Sequence, residues 1–274
     1  MIDRNITVRK FQMAKKDQHK PGPPQSPAPS ETRFPVNLLF PLAAYKLFIF
    51  GFVYLFLILL PPLFNVNGYN KNFHWPADAQ PSLETMFSSW DAQMHLHLSQ
   101  EGYDKNLMSV NHQPLWPLLI KVFSYLTFGN HLIAGLILSN LLSLVGLCLF
   151  YKLARDDCGE RVANIALVLL LAFPGAIFFS FVYTESLFLC LSVLFISSLK
   201  KSNYPLAAAA GFLMPLTRLV GVLSFFPYLW QLVSKRESPV KWFYCAGPIL
   251  GLLVYFSIMM FFTGDPFAGI AGQR

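Results

Sequence analysis

The chain has 274 residues, of which 54% are hydrophobic and only 13% charged, with a formal net charge of +7. A soluble domain of this size carries roughly a quarter charged residues, and here the apolar residues fall in blocks long enough to cross a hydrocarbon core of about 30 Å. That composition excludes a water-soluble globule, and no basic groove with interleaved aromatics speaks for nucleic acid.

The N-terminal 36 residues form the first predicted element. They carry seven Lys or Arg (Arg4, Arg9, Lys10, Lys15, Lys16, Lys20, Arg33) and the run Pro21-Gly22-Pro23-Pro24. This predicts a disordered basic tail rather than a cleavable signal peptide. Hydropathy then predicts seven spans, at 37–60, 131–152, 162–182, 184–199, 203–217, 219–234 and 242–263. The fold class expected is all-α, a polytopic transmembrane helical bundle.

Between the first two spans lies a long polar segment, 61–130. Its apolar stretch Pro114–Phe123 is too short to span and predicts an interfacial helix. Within 203–234, Pro215 and Arg218 interrupt the apolar run and predict two short helices joined at Arg218. Each has about 15 residues, or roughly 22 Å, so their junction sits recessed at the floor of an open cavity.

Lys and Arg set the expected orientation. With the tail in the cytoplasm, 15 of the 21 basic residues lie inside, Lys46 falls within the first span, and five lie outside. The expected setting is a multi-pass protein of a prokaryotic plasma membrane or the endoplasmic reticulum membrane. The cysteines Cys148, Cys158, Cys190 and Cys245 show no CxxC spacing, so neither a zinc site nor a disulfide framework is expected.

This orientation collects Trp90, Asp91, His95, His97, His112, Glu185, Arg218 and Asp265 on the outer side. Asp91 opens a helical segment, where it either caps a helix or acts as a general base on a hydroxyl nucleophile. His95 and His97 are two apart and diverge on a helix, so no metal site is predicted. Glu185 lies between two apolar spans, where a charge implies a wet cavity or a partner, or a helix start. Arg218 either snorkels toward headgroups or binds a phosphate, whose geometry guanidinium matches with two parallel donors. No Gly-rich phosphate loop or nucleophile elbow occurs, so a nucleotide cofactor is not expected.

Four stretches resemble a known family. Ser89-Trp90-Asp91-Ala92-Gln93 with Glu101-Gly102-Tyr103 is similar to the first-loop motif of the GPI mannosyltransferase II-like membrane glycosyltransferases. So are Phe173-Pro174-Gly175 with Phe179–Phe188, Leu216-Thr217-Arg218-Leu219-Val220-Gly221, and Thr263-Gly264-Asp265-Pro266-Phe267. The resemblance covers roughly 35–273 and implies a GT-C architecture. It implies transfer of a sugar, typically mannose, from a polyprenyl- or dolichyl-phosphate carrier to a glycolipid or glycoprotein acceptor on the non-cytoplasmic face.

By the same resemblance Asp91 is the acidic first-loop residue that deprotonates the acceptor, and Arg218 is the arginine on the departing lipid phosphate. Tyr183 and Glu185 line the sugar or acceptor site; Trp90 and Asp265, which lie in the matching motifs, and His112, from its place on the outer side, are expected to join the substrate-binding set. The chain departs from the pattern at Asn111–Pro117 and at His95, which stands where an aromatic is usual. It also stops at Gly272-Gln273-Arg274, where relatives continue into further helices, and so reads as truncated. The competing expectations are a transporter of lipid-linked sugars, which calls for paired broken helices and internal symmetry, and a non-catalytic membrane subunit.

Overall fold

The computed structural model describes residues 35–59, 82–103 and 108–271, and every regular element among them is helical. The predicted tail lies outside the described residues except for its last two positions. So do all of 60–81, Asp104–Leu107 and the three C-terminal residues.

The helices follow the apolar blocks, and their ends follow local chemistry. α1 (Leu39–Leu59) is apolar on every side apart from Lys46 and keeps Pro41 in its first turn, where a missing N–H costs nothing. α2 (Leu83–Phe87) starts on a reciprocal capping box between Ser82 and Thr85, and α3 (Asp91–Gln100) follows at once. α4 (Leu115–Ser124) occupies the predicted interfacial stretch. It buries Trp116 and Ile120 and exposes Leu118 and Val122.

α5 (His131–Cys158) begins where the Asn130 side chain accepts from the Ile133 N–H at 2.9 Å. It runs six residues past the predicted span of 131–152, through a turn in which Lys152 and Asp156 pair at 3.7 Å. α6 (Glu160–Ala172) is shorter than the span expected at 162–182. Pro174 lacks an N–H and forces Phe173 into an extended conformation, so the chain leaves the helix and continues as a 3₁₀ turn, Pro174–Phe179. Its 13 residues reach only about 20 Å.

α7 (Glu185–Lys200) and α8 (Tyr204–Thr217) match the predicted segments to within one residue. Arg218 breaks the helix as expected, extended at φ −150° and ψ 131°, and a 3₁₀ turn (Leu219–Ser224) leads into α9 (Phe225–Ser234). The reversal needs Gly221, since a Cβ there would lie 2.6 Å from the Met214 carbonyl oxygen. Short helical turns, including α10 (Pro239–Trp242), precede α11 (Gly247–Thr263), and α12 (Ala268–Ala271) closes the described chain.

α5, α7, α8 and α11 stand in a row, each packed on the next, with α6 against α5 and α4 wedged between α3 and α5. The core at this seam includes Trp116, Ile120, Val182, Tyr204 and Tyr228. Three helical segments, Val36–Phe56, His131–Cys158 and Pro239–Thr263, are long and apolar enough to cross a membrane. Large apolar side chains on their outer faces, among them Phe40, Phe48 and Phe261, are exposed. Such continuous apolar surface is foreign to a water-soluble monomer.

Candidate active site

The site grows from the start of α3. Trp90, the residue before the helix, has φ 54° and ψ −129°, a conformation a bulky side chain adopts only when its surroundings enforce it. Two contacts enforce it here. The Tyr183 hydroxyl donates to the Ser89 carbonyl at 3.0 Å. The Trp90 ring meets Phe178 edge-on at 6.2 Å, and Phe178 in turn packs on Tyr183 at 4.6 Å.

Asp91 is therefore the first helical residue and caps nothing. Its side chain is 66% exposed, and Oδ1 lies 3.7 Å from His112 Nε2. The imidazole chiefly, with the Arg218 charge contributing, holds the Asp91 carboxyl below the usual carboxylate range against partial desolvation. Asp91 is thus an ionised, solvent-facing carboxylate at neutral pH.

His112 is fixed from behind. The Tyr103 hydroxyl donates to its backbone carbonyl at 2.7 Å, and the buried His95 ring meets it edge-on at 4.9 Å. Desolvation pushes His95 well below the ordinary imidazole range, so it stays neutral. That contact is something spacing alone did not reveal, because 112–114 is irregular and its return over α3 is a tertiary event. The described residues contain no group of three His, Cys, Asp or Glu able to hold a metal ion.

Glu185 and Arg218 form the other wall. Arg218 Nη1 donates to Glu185 Oε1 at 2.6 Å, while the buried Glu185 Oε2 has no partner among the described residues. Thr184 sits at the cap position of α7 but makes no side-chain cap bond, so Glu185 does more than mark a helix start. Arg218 stays 43% exposed with donors to spare. Its charge is felt at Asp91, and those of Asp91 and Glu185 are felt at Tyr183, whose hydroxyl burial pushes far up and keeps protonated.

Trp90, Asp91, His112, Tyr183, Glu185 and Arg218 thus form one neighbourhood, although they come from four separate stretches of chain. Asp265 does not share these contacts. It is exposed, and its Oδ1 accepts from the Phe267 N–H at 2.9 Å in a turn that ends α11. Among the described residues it makes no ion pair with Arg218, though the segment that follows it packs beside Val110, two residues before His112. No known protein family, curated protein or solved structure matches the chain.

Proposed function

We propose that this chain is a multi-pass membrane glycosyltransferase of GT-C type. In this reading it moves a sugar, mannose by resemblance, from a polyprenyl- or dolichyl-phosphate carrier to a glycolipid or glycoprotein acceptor. Seven spans with a cytoplasmic N-terminus put the site on the non-cytoplasmic face, where nucleotide sugars are absent and a lipid carrier supplies the activated donor. The observation that carries the proposal is the way the Tyr183 hydroxyl, 3.0 Å from the Ser89 carbonyl, ties two charged walls together. One wall holds Asp91 at 3.7 Å from His112, and the other holds Arg218 on Glu185 at 2.6 Å.

The chemistry asks for both. Asp91 takes the proton of the acceptor hydroxyl as its oxygen bonds to the anomeric carbon. The bond from that carbon to the phosphate oxygen breaks, and the departing phosphate keeps the electron pair. Arg218 meets that growing negative charge with its free donors, for which a preset guanidinium needs little reorganisation. His112 holds the Asp91 carboxylate ionised and in place. The Tyr183 hydroxyl braces the turn that presents Asp91.

The test is transfer of labelled mannose from polyprenyl-phosphate-mannose by the full chain in liposomes, offered lipid and glycopeptide acceptors. Transfer that disappears in Asp91→Asn, with membrane insertion unchanged, supports the reading. Equal transfer by the two proteins removes the general-base role, and no transfer to any acceptor removes the reading itself.

A further inference from the structure

The segment from Phe179 to Ser186 turns inward instead of running over the surface, and Ser180, Val182 and Ser186 are completely or almost completely buried. Buried backbone must find partners. Here the partners converge on the Phe179 carbonyl: Lys46 Nζ donates to it at 2.6 Å, Ser186 Oγ at 3.2 Å and Ser139 Oγ at 3.4 Å. Lys46 Nζ reaches Ser180 Oγ as well, at 3.2 Å, and Asn140 Nδ2 donates to the Ser180 carbonyl at 3.0 Å.

Lys46 is the unusual member. It is the one charge in α1, it is 5% exposed, and no described carboxylate pairs with it. A buried ammonium with only neutral oxygens around it is costly to maintain and would snorkel outward if it could. α1 otherwise presents much lipid-like surface and meets the bundle through Leu42, Ile49, Phe50 and Val53 and a Tyr45 hydroxyl bond to the Leu171 carbonyl at 3.2 Å. The cost of burying Lys46 is offset at one place, the turn that leads into Tyr183 and Glu185.

We infer that Lys46 is a positioning residue: by binding the Phe179 carbonyl and Ser180 from α1, it sets the turn that presents Tyr183 and Glu185 to the site. Tyr183 braces the Ser89-Trp90-Asp91 corner and Glu185 steers Arg218, so one ammonium supports both walls. Its influence on sugar transfer rests on the transferase reading, whereas its hold on the turn does not.

Hydrogen exchange on the full chain in micelles separates these two claims. Lys46→Met should raise exchange at 179–185 by about tenfold or more while leaving the middle of α5 unchanged, since only the local opening energy changes. A folded Lys46→Met chain whose 179–185 segment exchanges like the wild type overturns the inference. Should that variant fail to fold, the Ser139→Ala, Ser186→Ala chain decides, because Lys46 alone then serves the Phe179 carbonyl. Retained protection supports Lys46, and lost protection assigns the turn to the serines.

In the transfer assay, Lys46→Met and Glu185→Gln should be non-additive, because one acts through the other. Fully additive losses mean that Lys46 contributes stability alone and defeat the positioning role. A wild-type chain that transfers nothing sinks the transferase reading and leaves the exchange result standing.

Discussion

Arg218 and Glu185, 33 residues apart in the chain, meet with Nη1 2.6 Å from Oε1, and the second Glu185 oxygen is buried with no partner among the described residues. The pair joins the break after α8 to the first turn of α7, so each helix end fixes the other's charge. Arg218→Lys keeps the charge but loses the planar fork, and should lower transfer about tenfold to a hundredfold. Glu185→Gln keeps the shape and loses the steering charge, and should cost less. Initial rates at saturating donor measure both, and an Arg218→Lys enzyme at wild-type rate would reduce Arg218 to a headgroup anchor.

Asp91 should set the acid limb of the rate profile. Its folded-state carboxyl is held below the unfolded value of about 3.9, chiefly by His112, with the Arg218 charge helping. The base therefore stays ionised as pH falls to that value and is lost only on further acidification. The stabilising contribution of the contact has the same sign, being complete above the unfolded value and lost as pH falls through the folded one. His112→Ala should shift the acid limb of kcat/KM upward, and Asp91→Asn should cost about a hundredfold to ten-thousandfold in rate. A limb that stays put in His112→Ala refutes the pairing.

Much of this was readable from residue order. Arg218 declares its break because a charge after Pro215 cannot continue an apolar helix comfortably, and the chain does leave the helix there. Pro174 carries the same signal, yet the apolar run from 162 to 182 conceals it, and hydropathy alone predicts a continuous span where α6 stops at Ala172. The link from Glu185 to Arg218 has no local signature, since no helical period relates positions so far apart. Lys46 reads in sequence as an isolated charge within the first span. Its meaning depends on where the 179–186 turn lands, which no spacing in α1 encodes. The predicted Asp265 contribution rested on motif order alone, and its carboxylate serves a local turn.

His95 predicts a loss of stability at mildly acidic pH. Desolvation is the main reason its folded-state value lies well below the ordinary imidazole value; the His112 and Arg218 charges add to that, and Asp91 opposes it. The unfolded chain then takes up a proton near pH 6.5 that the folded one refuses. The stability owed to neutral His95 is complete above about 6.5 and declines as pH falls below it. Thermal midpoints between pH 7.5 and 5 should drop, and His95→Gln should flatten that dependence. An unaltered slope would show that His95 takes up its proton without leaving the core.

The pairing of α8 with α11 gives the sharpest stability prediction. Gly247 and Gly251, one helical turn apart, lie flat against α8. A Cβ at Gly247 would come within 2.5 Å of the Ala208 carbonyl oxygen, and one at Gly251 would strike the Phe212 carbonyl harder still. These are backbone atoms, so neither can swing aside, and Gly251→Ala must push two helices apart. Small residues permit such close contact where lipid-like surroundings supply no hydrophobic drive between helices. The expected cost is about 1–3 kcal/mol, in the range of overpacked cores. Gly51 in α1 is the control: a Cβ there meets nothing within 4 Å, so Gly51→Ala should gain about 0.5–1 kcal/mol from reduced chain entropy. Thermal unfolding in detergent, followed by helix content, separates the two. Because α8 carries Arg218 at its end, Gly251→Ala should also weaken sugar transfer in the fraction that remains folded. Equal midpoints for the two alanine variants would mean that α8 and α11 do not meet backbone to backbone.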